Sequence, residues 1–101
     1  MTAASAVPEV QRLHAVVVGR VQNVGFRATT HEQALRLKLA GWVRNRHEGT
    51  VEVVAEGHPN ILNEFLAFLR QGPRTAHVVR VDATWGPAEG APQPFAVKPT
   101  I

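Results

Sequence analysis

The part of this sequence best suited to chemistry is Gly19-Arg20-Val21-Gln22-Asn23-Val24-Gly25-Phe26-Arg27. Its glycines and asparagine mark a loop, set between a β-branched run and a helical pattern. Backbone N–H groups in such a loop have no strand or helix partner. The helix that follows brings its positive N-terminal end to the same place. The combination attracts anions, phosphate above all. The glycines let the backbone approach a ligand closely. Arg27, at the start of the helix, can fold its guanidinium over the same spot, and Arg20 raises the field from the other end. No Gly-Lys-Ser/Thr follows, so this is not the nucleotide P-loop, and a metal-supported nucleotide site is disfavoured. Read alone, the loop fits phosphate binding and a plain strand-to-helix turn with a surface arginine about equally.

Other chemistries find little support. The chain has no cysteine, which removes disulfides, thiolate nucleophiles and cysteine-ligated metals. Its five histidines are scattered, with no pair at metal-ligand spacing and no acidic companions, so no metal is expected. Ser5 is the sole serine and lies near the start of the chain, so a Ser-His-Asp set is not available. The acidic residues form no close pair suited to general acid/base work. His47, near the loop's expected partner strand, is the one histidine worth testing.

The elements that must position the loop follow from periodicity. Leu13 to Val18 reads as a first strand, which Gly19 ends. Phe26, Thr30, Ala34 and Leu37 then recur at helical spacing. Trp42 to Asn45 and Thr50 to Glu56 form a hairpin around His47-Glu48-Gly49. In its second strand Val51, Val53 and Ala55 face one way, and Thr50, Glu52, Val54 and Glu56 the other. Pro59 opens a second helix with Ile61, Leu62, Phe65, Phe68 and Leu69 on its apolar face, and Gly72-Pro73 stops it. His77 to Trp85 alternates again, with Val79, Val81, Ala83 and Trp85 inward. Residues 86–94 are rich in Gly and Pro and irregular, and Phe95 to Val97 is an optional last strand. The order β-α-β-β-α-β predicts an α+β, ferredoxin-like sandwich: a four-stranded antiparallel sheet, both helices on one face, with an optional short fifth strand.

The bulk properties agree with one small domain. Of 101 residues, 45% are hydrophobic, enough for a modest core. Residues 1–10 read as a flexible tail and 11–101 as the domain. No apolar run is long enough to cross a membrane, and the N-terminus does not read as a secretory signal. The lack of cysteine suits a reducing cytoplasm. The net charge of +3 comes mainly from nine arginines against two lysines. Arginine suits bidentate recognition of phosphate and carboxylate, so the partner is anionic, whether nucleic acid or a small phosphorylated molecule.

The segment Val17 to Arg27 resembles the phosphate-loop motif of the acylphosphatase family. Gly41-Trp42-Val43-Arg44-Asn45, followed by Gly49, Val51 and Gly57, resembles the family's second signature. Gly72-Pro73 and the later alternating strand are also similar, so the resemblance spans about residues 13–85. It implies a hydrolase that splits the carboxyl–phosphate anhydride of acyl phosphates into carboxylate and inorganic phosphate, by direct water attack, without metal or other cofactor. It implies that Arg27 binds the phosphoryl group, with backbone N–H groups of Val21, Gln22, Asn23, Val24, Gly25 and Phe26, and that Asn45 orients the water. A monomer is expected, with a small-molecule acyl phosphate and inorganic phosphate as partners and no membrane or specific nucleic-acid partner. One departure stands out: Asn23 occupies a position where the family usually has glycine. Asn is the non-glycine residue best suited to left-handed backbone, so the loop is expected to survive. Glu48, where Asp often precedes the turn glycine, is expected to be neutral.

Several residues keep two readings. Gln22 either touches the ligand or braces the loop, and bracing is favoured. Arg44 and Arg46 either steer anions or are simply solvated. Trp42 is either a binding aromatic or, as favoured for a strand position, a packing residue. The rival function is a basic ferredoxin-like nucleic-acid-binding module. RNA-binding sheets rely on exposed aromatics on central strands, and this chain has no tyrosine and no aromatic in its first strand. A non-catalytic phosphate-binding module is the third reading, opposed by the presence of both Arg27 and Asn45.

Overall fold

The computed structural model describes residues 10–101. The tail expected over residues 1–10 lies, Val10 apart, outside the described residues. Seven elements follow in order: β1 (Gln11–Arg20), α1 (Phe26–Arg36), β2 (Ala40–Asn45), β3 (Val51–Gly57), α2 (Pro59–Gln71), β4 (His77–Pro87) and β5 (Ala96–Val97). The sheet runs β4-β1-β3-β2-β5. The first four strands are antiparallel neighbours as expected, while β5 joins β2 in parallel, which makes the sheet five-stranded and mixed.

Alternation explains which face is covered. Leu13, Ala15 and Val17 of β1 lie opposite Ala55, Val53 and Val51 of β3, and all six are fully buried. They form one cluster with Phe26 and Ala34 of α1 and Leu62, Phe65 and Leu69 of α2, so both helices pack on this face. Each such large side chain contributes roughly 1.5–3 kcal/mol by leaving water. Pro59 sits in the first turn of α2, and Gly72 closes it with φ 68°. Among the described residues no helix is long and apolar enough to cross a membrane.

Two expectations are corrected. Gly19 does not end β1. It lies within the strand, where the register against β4 slips: Val18 faces Arg80, but Gly19 faces Val78. Val79 is therefore the extra residue of a β-bulge, and the bulge inverts the phase of β4 on its N-terminal side. Val78, not Val79, packs on the core, and Val79 is 62% exposed. A side chain at Gly19 would overlap the His77 carbonyl, which explains the glycine. Trp85 keeps the inward phase but is 39% exposed on the edge strand. Val54 and Glu56 face away from the helices, as their alternation implied, and are also buried. Val54 lies between His14 and Trp42 on neighbouring strands. The Glu56 carboxylate bonds the Arg12 guanidinium and three successive backbone N–H groups, of Glu89, Gly90 and Ala91. Burial alone would raise the pKa of Glu56, but these donors together hold it below the ordinary carboxylate value.

Candidate functional site

Sequence order brings two loops to the same end of the sheet. The 21–25 loop leaves β1, and the turn after Asn45 joins β2 to β3. Within the loop, Asn23 has φ 63° and Gly25 has φ 82°. The two left-handed residues bend the chain sharply into α1. Asn23 thus occupies the conformation that glycine takes without steric cost, as expected from its place in the motif.

Gly25 is the N-cap of α1, and no side chain caps the helix. The Gly25 carbonyl accepts from the N–H and hydroxyl of Thr29. The helix itself offers no partner for the N–H groups of Phe26, Arg27 and Ala28, and its first turn contains no acidic residue. These N–H groups lie at the positive end of the helix dipole, an arrangement that favours an anion.

A cleft of about 180 Å³ opens there, lined by Val21, Gln22, Asn23, Gly25, Phe26, Arg27, Ala28 and Asn45. It is smaller than the roughly 300–1,000 Å³ of pockets that enclose drug-sized ligands, so it suits a head group rather than a whole large molecule. Arg27 is the one charged residue of the lining. It is half-buried and forms no ion pair among the described residues. Asn45 is the last residue of β2, opposite Val51, in the same phase as Gly41 and Val43. Among the described residues two buried side-chain oxygens lack a protein partner, Thr30 Oγ1 and Asn45 Oδ1, and of their residues only Asn45 lines the cleft. A buried unpaired acceptor costs about 1–3 kcal/mol, so an unpaired oxygen beside an anion cradle marks a place for a donor such as water.

The structure thus gathers Arg27, Asn45 and most of the expected loop around one cleft. Val24 is the exception. Its side chain packs toward the core, and its carbonyl accepts from Thr75 Oγ1 at 2.6 Å. Arg20 is exposed and outside the lining. Gln22 braces, as favoured: its Nε2 donates to the carbonyls of Arg46 at 2.7 Å and Thr50 at 2.8 Å. Arg44 and Arg46 are neither free to steer anions nor merely solvated. Arg44 pairs with Glu52 at 2.8 Å and lies 4.6 Å over the Trp42 ring, on the face away from the helices. Arg46 pairs with Glu48 at 3.1 Å. Trp42 is buried between strands, with Lys98 also over its ring, which supports the packing reading. The His47 backbone N–H bonds the Ile101 carbonyl, and its exposed side chain does not line the cleft.

Two contributors were not anticipated. Ala28 lines the cleft, and only its place in the first helical turn could have signalled it. Thr75 pins the loop from the connection between α2 and β4, a contact across 51 residues with no local sequence signal. Among the described residues, no three His, Cys, Asp or Glu side chains come together to hold a metal ion.

With this geometry in place, the comparisons with known proteins are informative. The acylphosphatase family model matches residues 13–97. An acylphosphatase of Thermus thermophilus is 51% identical over 79 residues, covering 78% of this chain and 90% of that protein. One of Salinibacter ruber is 43% identical over 88 residues, 87% of this chain and 93% of its own. Among solved structures, acylphosphatase from Bacillus subtilis matches with a TM-score of 0.83 at 35% identity, covering 87% of this chain and 98% of that one.

Proposed function

Because the chain belongs to the acylphosphatase family, we propose that it hydrolyses acyl phosphates by direct attack of water on phosphorus, with Arg27 binding the phosphoryl group and Asn45 orienting the water. The new bond joins phosphorus to the water oxygen, and the bond to the carboxylate oxygen breaks. The products are a carboxylate and inorganic phosphate. Arg27 and the free N–H groups at the start of α1 surround the equatorial oxygens, where charge must be stabilised. Asn45 Oδ1 accepts a proton-bearing bond from the water and holds it in line with the leaving group.

The observation that carries this reading is the composition of the lining. Arg27 is its single charged side chain, and a guanidinium offers donors but no acceptor. With no protein group there to take the water's proton, a phosphoryl oxygen of the substrate takes it. A carboxylate leaves readily, so no protein acid is needed at the other end. This suits an anhydride substrate and not a phosphate ester, whose alkoxide would need protonation.

Lack of cysteine supports a reducing cytoplasm as its compartment. We also propose a monomer, checked by light scattering, without a specific nucleic-acid partner. Against such a partner, β1 and β3 carry no Phe, Tyr or Trp, and Trp42 is closed off by Arg44 and Lys98. The deciding assay is benzoyl phosphate hydrolysis in excess EDTA, for the wild type and Arg27→Ala. Turnover in the wild type and almost none in the variant is expected. Activity lost on chelation and restored by a divalent ion would refute a metal-free mechanism. Tight binding of inorganic phosphate without turnover would leave a phosphate-binding module instead.

A further inference from the structure

In the proposed mechanism Arg27 and Asn45 act on one phosphorus atom, yet Arg27 lies in the first turn of α1, after the 21–25 loop, and Asn45 ends β2. The last rung of β1 on β3 is Val17 opposite Val51, and the last rung of β2 on β3 is Asn45 opposite Val51. The 21–25 loop starts four residues past that rung, where strand pairing with β3 no longer sets its distance from Asn45. Among the described residues, the hydrogen bonds that join this loop to the β2–β3 turn are the two from Gln22.

These two bonds use both protons of the Gln22 amide. The side chain therefore has no donor left for an anion, and its remaining oxygen would repel one. The receiving carbonyls are themselves part of the turn's own framework. Arg46 N–H donates to the Thr50 carbonyl at 2.9 Å, and Gly49 N–H donates to the Arg46 carbonyl at 2.9 Å. One amide thus grips both ends of a closed turn, and one grip falls on the residue next to Asn45.

We infer that Gln22 is a positioning residue: its side-chain amide sets the distance between the anion cradle and Asn45, and so the line of attack of the water. The inference rests on the proposed roles of Arg27 and Asn45. It makes a specific kinetic claim. Phosphate binds through N–H groups at the start of α1 and through Arg27, which Gln22 truncation leaves in place. Water placement depends on the distance between Asn45 and the cradle, which truncation no longer fixes. A displacement of about 1 Å at the reacting atoms costs on the order of 10²-fold in rate.

The test measures kcat and KM with benzoyl phosphate, phosphate affinity by calorimetry, and melting temperature. The proteins are the wild type, Gln22→Ala, Gln22→Glu, Asn45→Ala and the Gln22→Ala/Asn45→Ala double variant. Gln22→Glu keeps the shape but presents a carboxylate to two carbonyl oxygens. Both Gln22 variants should lose about 10²-fold in kcat, with phosphate affinity nearly unchanged. In the Asn45→Ala background, Gln22→Ala should slow the enzyme no further, because residues acting as one unit are not additive. Equal losses of kcat and phosphate affinity would overturn the inference, as would a full additional loss in the double variant. So would failure of both Gln22 variants to fold, which would make the amide a structural brace alone. If Asn45→Ala is slow while Gln22→Ala is fast, only Gln22 loses its role. If Asn45→Ala turns over like the wild type, the reading of Asn45 falls and this inference falls with it.

Discussion

Asn23 offers a sharp test of the loop, because its backbone and side chain make separable demands. Its φ of 63° lies in the left-handed region, and its side chain is exposed. Substitution there removes little packing, so backbone conformation dominates the energetics. Asn23→Gly relieves whatever strain an L-residue carries there, and it gives the unfolded chain more freedom, a cost of about 0.4–1 kcal/mol. The two oppose each other, so the net change should stay within about 0.5 kcal/mol. Asn23→Val has no such compensation. Left-handed backbone costs an ordinary L-residue roughly 1–2 kcal/mol, and β-branching makes it worse. At about 4–8 °C per kcal/mol for a domain of this size, Val should lower the melting temperature by roughly 10 °C, and Gly by only a few degrees. Phosphate affinity should follow the same order, near wild type for Gly and much weaker for Val, because the loop's bend places the N–H groups of α1. Thermal unfolding and calorimetry on the two variants measure both quantities. An Asn23→Val protein that melts with the wild type and binds phosphate normally would refute the argument. Loss of affinity in Asn23→Gly at unchanged stability would show instead that the Asn23 amide touches the ligand.

Other outcomes follow from single contacts. Arg27→Ala should lower kcat/KM by at least about 10²-fold, and Arg27→Lys should recover little, since a point charge cannot copy the planar fork; steady-state kinetics decide both. Gly41→Ala should fail to fold or lose more than about 4 kcal/mol, read by urea unfolding, because the new Cβ would overlap the Val54 carbonyl and sit 2.8 Å from the Phe95 ring, at φ 143°. Glu56→Gln should cost about 2 kcal/mol at neutral pH through its lost charged hydrogen bonds. Because the folded pKa of Glu56 is depressed, this stabilisation is present above the ordinary carboxylate range and is lost as pH falls through the folded value. The gap between wild type and variant in urea melts should therefore narrow in acid, and a gap constant with pH would contradict the assignment.

The parts of the fold that were legible in the sequence are those decided locally. Alternation in β1 and β3, and the 3.6-residue spacing of Phe26, Thr30 and Ala34, reflect one face meeting one core, and the structure buries those residues. Phase failed in β4 because a strand's pattern predicts its facing only while register is unbroken. The slip at Val79 is fixed by a glycine some 60 positions earlier, whose missing Cβ lets the His77 carbonyl come close. The burial of Glu56 was not legible for a related reason. Its alternation correctly put it on the face away from the helices, but exposure there depends on the 88–91 segment, whose three N–H groups converge on the carboxylate.

The candidate site divides in the same way, and the division bears on how the chemistry is built. Residues expected to touch phosphate lie within seven positions of each other, so a short segment could display them: the loop must bend, a helix must start, and an arginine must follow. What holds that segment against the rest of the molecule is non-local. Thr75 fastens the Val24 carbonyl, and Gln22 fastens the Arg46 and Thr50 carbonyls, across 51, 24 and 28 residues. Asn45 is tied on its other side, where Ile101 N–H donates to its carbonyl and the Ile101 carbonyl accepts from His47. An isolated loop would bind an anion weakly and place water nowhere in particular, because ordering it costs about 1–2 kcal/mol per residue. The folded chain meets that cost before substrate arrives, through hydrogen bonds that contact no ligand. Substitutions at these tethers should therefore act on turnover through geometry, while substitutions at Arg27 remove the guanidinium that meets the phosphoryl group directly.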